Sequence, residues 1–433
     1  MFLIDTIDHF ISGDWGADEA SDETPKAVRC IRGADINSVN AQSFENVPIR
    51  FVADSSTDSK RLQAGDIIIE KSGGSPTQST GRVAFISQKC IDRFQDVVCS
   101  NFCAAFRVKE DWNPKYIFYY IQLVYNNGIF FNFEGKTSGL RNLQLENAFK
   151  SIPIKHIDRP IQDKVVDVLD SIENKIALSN EINRNLEQVA RQLYDHWFVQ
   201  FDFPNHEGKP YKSSGGEMVW NEALKRNIPK GWSNASLSEI ANITMGQSPD
   251  GSSYNDIGEG CLFYQGSTDF GIRFPKVRQY TTAPSRYARK GDILMSVRAP
   301  VGTLNIANND CCIGRGLAAL NSKIGSITHL YCVMCDLKAV FDQQNSVGTT
   351  FGSITKDTLY GLAVSLPTKD LVESFEKICQ PIFDEQMRIG EQAVELQRLR
   401  DELLPMLLNG QVNCDLYYIE GEVSPLIIYS NER

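Results

Sequence analysis

Along two long stretches of the chain, apolar residues recur in steps of three and four. From Ile161 to Phe198 they fall at Ile161, Val165, Leu169, Ile172, Ile176, Ile182, Leu186, Val189, Leu193 and Trp197. From Val372 to Leu408 they fall at Val372, Phe375, Cys379, Ile382, Ile389, Ala393, Leu396, Leu399, Leu403 and Leu407. That spacing lays one apolar stripe along a helix. Slid by a constant offset, Ile172, Leu186, Val189, Leu193 and Trp197 meet Ile382, Leu396, Leu399, Leu403 and Leu407, so the stretches are two copies of one unit. Pro160 suits the first turn of the first helix, and Asp370 with Glu373 reads as a capping box for the second. Asn409-Gly410 and Phe203-Pro204 supply the stops. At about 1.5 Å per residue each helix would run roughly 55 Å, longer than one globular core encloses. The two stripes are therefore expected to face each other as an antiparallel coiled coil with those ten residues in its core.

The repetition extends into the segments before each helix. Leu62-Gln-Ala-Gly65-Asp66-Ile-Ile-Ile matches Ala288-Arg-Lys-Gly291-Asp292-Ile-Leu-Met, and Ser72 to Pro76 leading into Gly81 matches Ser296 to Pro300 leading into Gly302. Gly135 to Gly139 matches Gly348 to Gly352, in the same order. Asp66-Ile-Ile-Ile, Val83-Ala-Phe-Ile and Asp292-Ile-Leu-Met-Ser-Val read as strands, with shorter helices near Trp112 to Tyr125 and Thr328 to Phe341. The fold class expected is α+β: two mixed α/β domains separated by two long antiparallel helices, with a pseudo-twofold internal repeat. The boundaries fall at 1–157 and 232–367 for the globular domains, 158–200 and 368–410 for the helices, 201–231 for a turn-rich linker, and 411–433 for a tail that is a strand or strand pair.

Composition changes this picture little. The chain has 433 residues, 42% hydrophobic and 23% charged, which suits soluble domains. No apolar run has the length of a membrane span and the N-terminus lacks the pattern of a signal peptide, so a cytoplasmic protein with no membrane partner is expected. The cysteines follow no pairing pattern and read as reduced core thiols. The net charge is −10. It is unevenly spread: residues 1–157 carry 17 Lys and Arg against 19 Asp and Glu, residues 232–366 carry 11 against 10, and residues 367–433 carry 6 against 13. The globular parts are near neutral, which leaves room for a local basic face on each.

Candidate chemistry thins out under the repeat. Asn113-Pro114-Lys115-Tyr116 is similar to the turn with which amino-methyltransferases hold a flipped base, yet it lacks the second proline and a preceding glycine-rich loop. Asn as N-cap with Pro at the first helical position explains it better. Asp66 with Glu70-Lys71 is similar to a nuclease carboxylate set, but the second copy has Asp292 with Met295-Ser296, so the aspartate is expected to bond turn amides instead. His329 with Cys332-x-x-Cys335 has no ligating counterpart in the first copy. No catalytic and no metal-binding residues are assigned. What remains are polar and basic residues at turns: Arg32, Lys71, Arg82, Lys136 and Arg141 in the first copy, and Gln265, Arg273, Lys276, Arg278, Arg298, Arg315, Thr350 and Lys356 in the second. Such side chains neutralise phosphates or read base edges, which makes them the candidate DNA-binding set.

With these residues assembled, the chain resembles the DNA-specificity subunit of type I restriction-modification systems. The resemblance rests on Ile228-Pro-Lys-Gly-Trp232, Gly246-Gln-Ser-Pro249, Gly291 to Gly302, Leu396-Gln-Arg-Leu-Arg-Asp-Glu-Leu-Leu-Pro405 with Leu408-Asn-Gly410, and the linker Phe201-Asp-Phe-Pro204 with Gly208 to Gly216. It implies two target-recognition domains on double-stranded DNA, each reading half of a bipartite asymmetric target. The helices would set the gap and dock two modification subunits. No cofactor is expected in this chain: S-adenosylmethionine would sit on the modification subunits, and ATP and magnesium on restriction subunits.

Overall fold

The computed structural model describes residues 1–75, 78–137, 140–346, 352–413, 416–419, 422–425 and 428–429. They form two compact units, Met1–Ala177 with Leu396–Arg433, and Leu178–Glu395, so that each unit takes one end of both long helices.

In the first unit the strands are β1 (Ile7–Ser12), β2 (Lys26–Ile31), β3 (Ile49–Val52), β4 (Ile67–Glu70), β5 (Val83–Phe85), β6 (Val97–Cys99) and β7 (Cys103–Val108). They are followed by α1 (Pro114–Asn126), β8 (Glu134–Thr137), β9 (Leu140–Leu143) and the first long helix, α2 (Arg159–Tyr194). One antiparallel sheet has the order β1-β7-β4-β5, and a second has the order β3-β2-β6 with β2 and β6 parallel. Strand β4 is buried on both faces, which is why it reads as an unbroken apolar run. Ile67 and Ile69 pack with Phe106, Trp112 and Phe149, whereas Ile68 packs with Ile31, Ala84 and Val97. Asn113 caps α1 as expected, its side chain accepting from the amides of Lys115 (2.8 Å) and Tyr116 (3.3 Å), with Pro114 in the first turn.

The second unit repeats the plan with β10 (Ala241–Met245), β11 (Cys261–Tyr264), β12 (Ile293–Ser296), β13 (Leu304–Ile306), β14 (Cys311–Ile313), β15 (Leu317–Ser322), α3 (Ile327–Ser346) and the second long helix, α4 (Lys369–Leu408). Its main sheet runs β10-β15-β12-β13, and β11 pairs parallel with β14. Strand order and the one parallel pairing thus match those of the first unit. The repeat extends to a close approach: an added Cβ would lie 2.4 Å from the Phe130 ring at Gly81 (φ +105) and 2.6 Å from the Phe341 ring at Gly302 (φ +85). Gly81→Ala is expected to cost at least about 2 kcal/mol, through both backbone strain and overpacking. A thermal melt that does not move would refute this.

The long helices pair antiparallel. In the first unit Val165, Leu169, Ile172 and Ile176 share a core with Leu403, Leu404, Leu407 and Leu408, and the Arg400 guanidinium meets Glu173 at 2.9 Å. In the second unit the Gln386 amide donates to the Asn183 carbonyl (3.1 Å), and Trp197 meets Phe375. Gly410 ends α4 with φ +68, its amide and that of Gln411 capping Leu407 and Met406. The predicted seam needs correction in its middle. Ile172, Trp197, Leu403 and Leu407 are buried, and half-buried Leu193, Leu396 and Leu399 pack against the same cores, but Leu186 and Ile382 are only half-buried and Val189 is 52% exposed. Asn183, Gln386, Ile389 and Ala393 take the buried positions there. The cause is a third element in each packing group: α1 meets α2 through the Tyr119 hydroxyl on Asp170 (2.6 Å), and α3 meets it through Arg191 on the Cys332 carbonyl (2.8 Å). The apolar stripe turns toward that third helix as well as toward its partner.

The linker differs from a run of turns. Met218–Asn221 pairs with Arg226–Pro229 in a hairpin, and Phe203 stacks on Trp232 and Tyr211. In the tail, Leu416–Ile419 pairs with Glu422–Pro425.

Candidate nucleic-acid interface

In the second unit, five loops are tied into one cluster by backbone hydrogen bonds. The Val297 amide donates to Gly316 (2.9 Å), Gly316 to Gln265 (3.1 Å), Gly314 to Tyr264 (2.8 Å), Ile354 to Val297 (2.9 Å) and Gln247 to Ile313 (3.0 Å). A glycine is needed at 316, where a Cβ would meet the Gln265 carbonyl at 2.6 Å. The cluster presents exposed Gln265, Arg298 and Arg315 together. Ser248 Oγ accepts from the Arg315 amide (3.1 Å) and lies 3.4 Å from its Nε, and Arg298 bridges Ser353. The buried Asp269 carboxylate accepts from the Gln265 amide (2.9 Å) and lies 4.0 Å from Arg278, while its carbonyl takes the Lys276 amide (2.7 Å). Exposed Lys276 and Arg278 thereby join the same edge. Lys356 begins the helix Lys356–Tyr360, three residues beyond Ser353, its ammonium 5.1 Å from the Tyr360 ring centroid.

The first unit builds the equivalent cluster by equivalent bonds. Ser100 donates to Ile31 (2.9 Å), Lys71 and Ser72 to Phe102 (2.8 and 3.0 Å), and Leu143 to Lys71 (2.7 Å). Arg32, Lys71 and Arg141 come together there. Two acids neutralise part of this set: Asp35 holds Arg32 through two bonds of 2.8 Å, and Glu134 holds Arg141 at 2.7 Å. Arg82 is bound by the buried Glu70 at 2.9 and 2.6 Å, and this bidentate pair keeps its guanidinium in place. The Lys136 side chain and Thr350 lie outside the described residues.

Arg273 requires a correction. It is 7% exposed, its guanidinium lying between the rings of Tyr331 and Phe383 with one bond to Gln386 (3.2 Å). A cation enclosed by α3 and α4 supports packing within the unit and is not on a surface open to DNA.

The repeated Gly-Asp is structural, as its position predicts. Asp66 accepts from the Gln63 amide (2.7 Å) and from Arg107, and Asp292 accepts from the Arg289 amide (2.8 Å) and the Asn321 side chain (3.2 Å). His329 is packed against Phe198, and burial pushes the Cys335 thiol up to about 12. Among the described residues no group of three or more His, Cys, Asp or Glu is placed to hold a metal ion. Among them, too, no helix is long and apolar enough to cross a membrane.

Hydrogen-bond equivalence also brings forward residues the sequence reading passed over. Ile31 corresponds to Tyr264 and Ser100 to Gly314, so Arg32 corresponds to Gln265, Asn101 to Arg315, and Phe102 to Gly316. Lys71 corresponds to Val297, so Ser72 corresponds to Arg298. Asn101 is exposed, and Phe102 is 58% exposed. Their turn follows β6 without a sequence motif of its own; only the paired bonds identify it.

Two repeated units with a loop cluster of polar side chains on each define a duplicated recognition protein. The family model for the type I restriction modification DNA specificity domain matches residues 31–188 and 229–373, and the chain belongs to that family. It is 28% identical over 295 residues to the putative type I restriction enzyme MjaX specificity subunit of Methanocaldococcus jannaschii, covering 63% of this chain and 66% of that protein. To the type I restriction enzyme HindI specificity subunit of Haemophilus influenzae it is 22% identical over 338 residues, 61% of this chain and 70% of that one. A third relative, the MjaIX specificity subunit of M. jannaschii, is 23% identical over 287 residues, and the match spans 62% of each chain. The chain thus spans less than two thirds of the length of the two M. jannaschii relatives. The S subunit structure from M. genitalium shares the fold, with a TM-score of 0.50 at 14% identity over 94% of this chain and 95% of that one.

Proposed function

We propose that the chain is the DNA-reading, non-catalytic subunit of a type I restriction-modification complex, in which each unit reads one half of a bipartite, asymmetric duplex target. The paired helices set the unspecified gap between half-sites, and their outer faces dock two modification subunits. The chemistry then belongs to partners: S-adenosylmethionine on the modification subunits, ATP and magnesium on restriction subunits. The observation that carries this reading is that one backbone frame, built twice, presents different side chains at equivalent turns. Two frames of one design with different contacts suit two different half-sites. The acidity concentrated in residues 367–433 suits protein contacts better than phosphate.

Assembling the chain with the modification subunits of its source and mapping methylated positions tests the reading. A two-part motif with a fixed gap is expected; methylation with no motif, or with a single contiguous one, contradicts it. For phosphate contacts, Arg298→Ala or Lys356→Ala should weaken duplex binding and lower the salt slope by about one unit. Titrations at several salt concentrations check this, and an unchanged slope removes that residue from the contact set.

A further inference from the structure

The bonds that superpose the two loop clusters place Asn101 and Arg315 at the same point of the frame. Each is the residue after the one whose amide closes the parallel strand pair, Ser100 onto Ile31 and Gly314 onto Tyr264. Each is exposed. The frame around them is rigid, because the following residue carries the carbonyl that ties in the next loop: Phe102 accepts from Lys71 and Ser72, and Gly316 accepts from Val297. A side chain held on such a frame spends little conformational entropy on ordering when it meets a base edge.

We propose that Asn101 and Arg315 are the paired specificity-determining residues of the two readers, with Asn101 selecting adenine in one half-site and Arg315 selecting guanine in the other. This rests on the proposed DNA-reading function and adds a base to a residue. The chemistry follows from the two side chains. An Asn amide offers one donor and one acceptor side by side, complementary to N6 and N7 of adenine. An Arg guanidinium offers two parallel donors, complementary to O6 and N7 of guanine. Ser248 Oγ lies 3.4 Å from Arg315 Nε, which steadies the group and leaves its terminal nitrogens free for the base. Beside Asn101, the exposed Phe102 ring gives the first reader an apolar contact suited to a neighbouring thymine methyl; its counterpart Gly316 gives the second reader none. The half-sites then differ for a reason visible at one turn.

The test is a residue swap read by methylation mapping of the assembled complex. Wild type should yield a two-part motif with adenine at one invariant position of one half and guanine at one of the other. Arg315→Asn should change a single position in one half, from guanine toward adenine, and leave the other half and the gap intact. Asn101→Arg should do the converse. A bidentate contact discriminates roughly ten- to a hundredfold against the wrong base, so the preferred base should fall by that factor. A swap that leaves the motif unchanged overturns the assignment while the two-part motif itself stands. A wild-type complex with no two-part motif removes the underlying reading instead. Where a swap abolishes methylation, Arg315→Ala or Asn101→Ala replaces it: the position should relax to accept any base pair while the rest of the motif is kept. An alanine variant with undiminished base preference also overturns the assignment.

Discussion

Arg107→Ala is expected to destabilise the first unit by about 3 kcal/mol, because it leaves a buried carboxylate without its cation. Asp66 is 0% exposed, and Arg107 contacts both its oxygens, Nε at 2.8 Å and Nη2 at 2.9 Å. The attraction runs both ways: the bonds to Asp66 raise the Arg107 pKa above its ordinary value. The second copy holds the equivalent aspartate with a different donor. There Asp292 occupies the same place with Asn321 where Arg107 would stand, an amide donor at 3.2 Å in place of a guanidinium. The frame therefore accepts a neutral donor here, and Arg107→Asn should lose about half as much as Arg107→Ala. Because two units unfold in one chain, hydrogen exchange resolved by peptide is the suitable measurement. Equal losses for Asn and Ala would show that a neutral donor does not replace the guanidinium in this unit, and a loss below about 1 kcal/mol for Ala would show that the pair does not anchor β4 and β7.

The Gly-Asp turns were legible because a fold with two copies exposes its own constraints. Asp66 and Asp292 keep the glycine and the amide they cap while the neighbouring residues change, so a structural role can be separated from a catalytic one without any relative. The long helices were legible for another reason: a stripe in steps of three and four over nearly forty residues has no other physical solution. What escaped were facts about partners distant in the chain. Nothing local distinguishes Arg273, enclosed by Tyr331 and Phe383, from exposed Arg278, and nothing near Arg82 announces that Glu70 binds it across a hairpin. Loop length hid more. Aligning Ser72 with Ser296 by residue type is off by two positions, since Ile69 and Met295 occupy equivalent places in β4 and β12 and Glu70 corresponds to Ser296. The match of Gly135–Gly139 to Gly348–Gly352 includes Gly139 and Gly348, which lie outside the described residues. The turn at Asn101 shares no residue type with its counterpart at Arg315 and is identified only through the paired backbone bonds.

The bonds that hold the loop clusters are almost all between backbone atoms, so the side chains at the turn tips are bystanders to the packing. Side chains that face solvent on a backbone-held frame can be exchanged at little cost to stability, typically within about 0.5 kcal/mol. Under the proposed reading, base preference and fold stability are carried by separate residues. Arg32, Arg82 and Arg141 fall between the two groups, since each has an acid to satisfy, and substitution there would disturb both.

The second unit should also lose stability in mild acid, and His329 is the reason. Its ring is 1% exposed and sits 4.7 Å from Phe198 and 5.6 Å from Tyr194, with Phe375 completing the aromatic wall. Burial alone lowers its pKa to about 4, from 6.5. A histidine kept neutral in the folded state takes up its proton more readily once unfolded, so the stability it permits is fully present above pH 6.5 and is lost as pH falls toward 4. A shift of that size corresponds to about 3 kcal/mol over the window. Asp292 acts in the opposite sense: burial raises its pKa, so its effect on stability turns unfavourable as pH rises from about 4. It cannot imitate the loss on acidification. Urea unfolding of wild type at pH 7 and pH 4.5, compared with His329→Phe, isolates the term, since phenylalanine keeps the aromatic packing and removes the titrating ring along with its unpartnered Nδ1. The variant should hold most of its stability at pH 4.5 where wild type drops. Parallel losses in both proteins would mean that carboxylates, and not this histidine, set the acid limit of the unit.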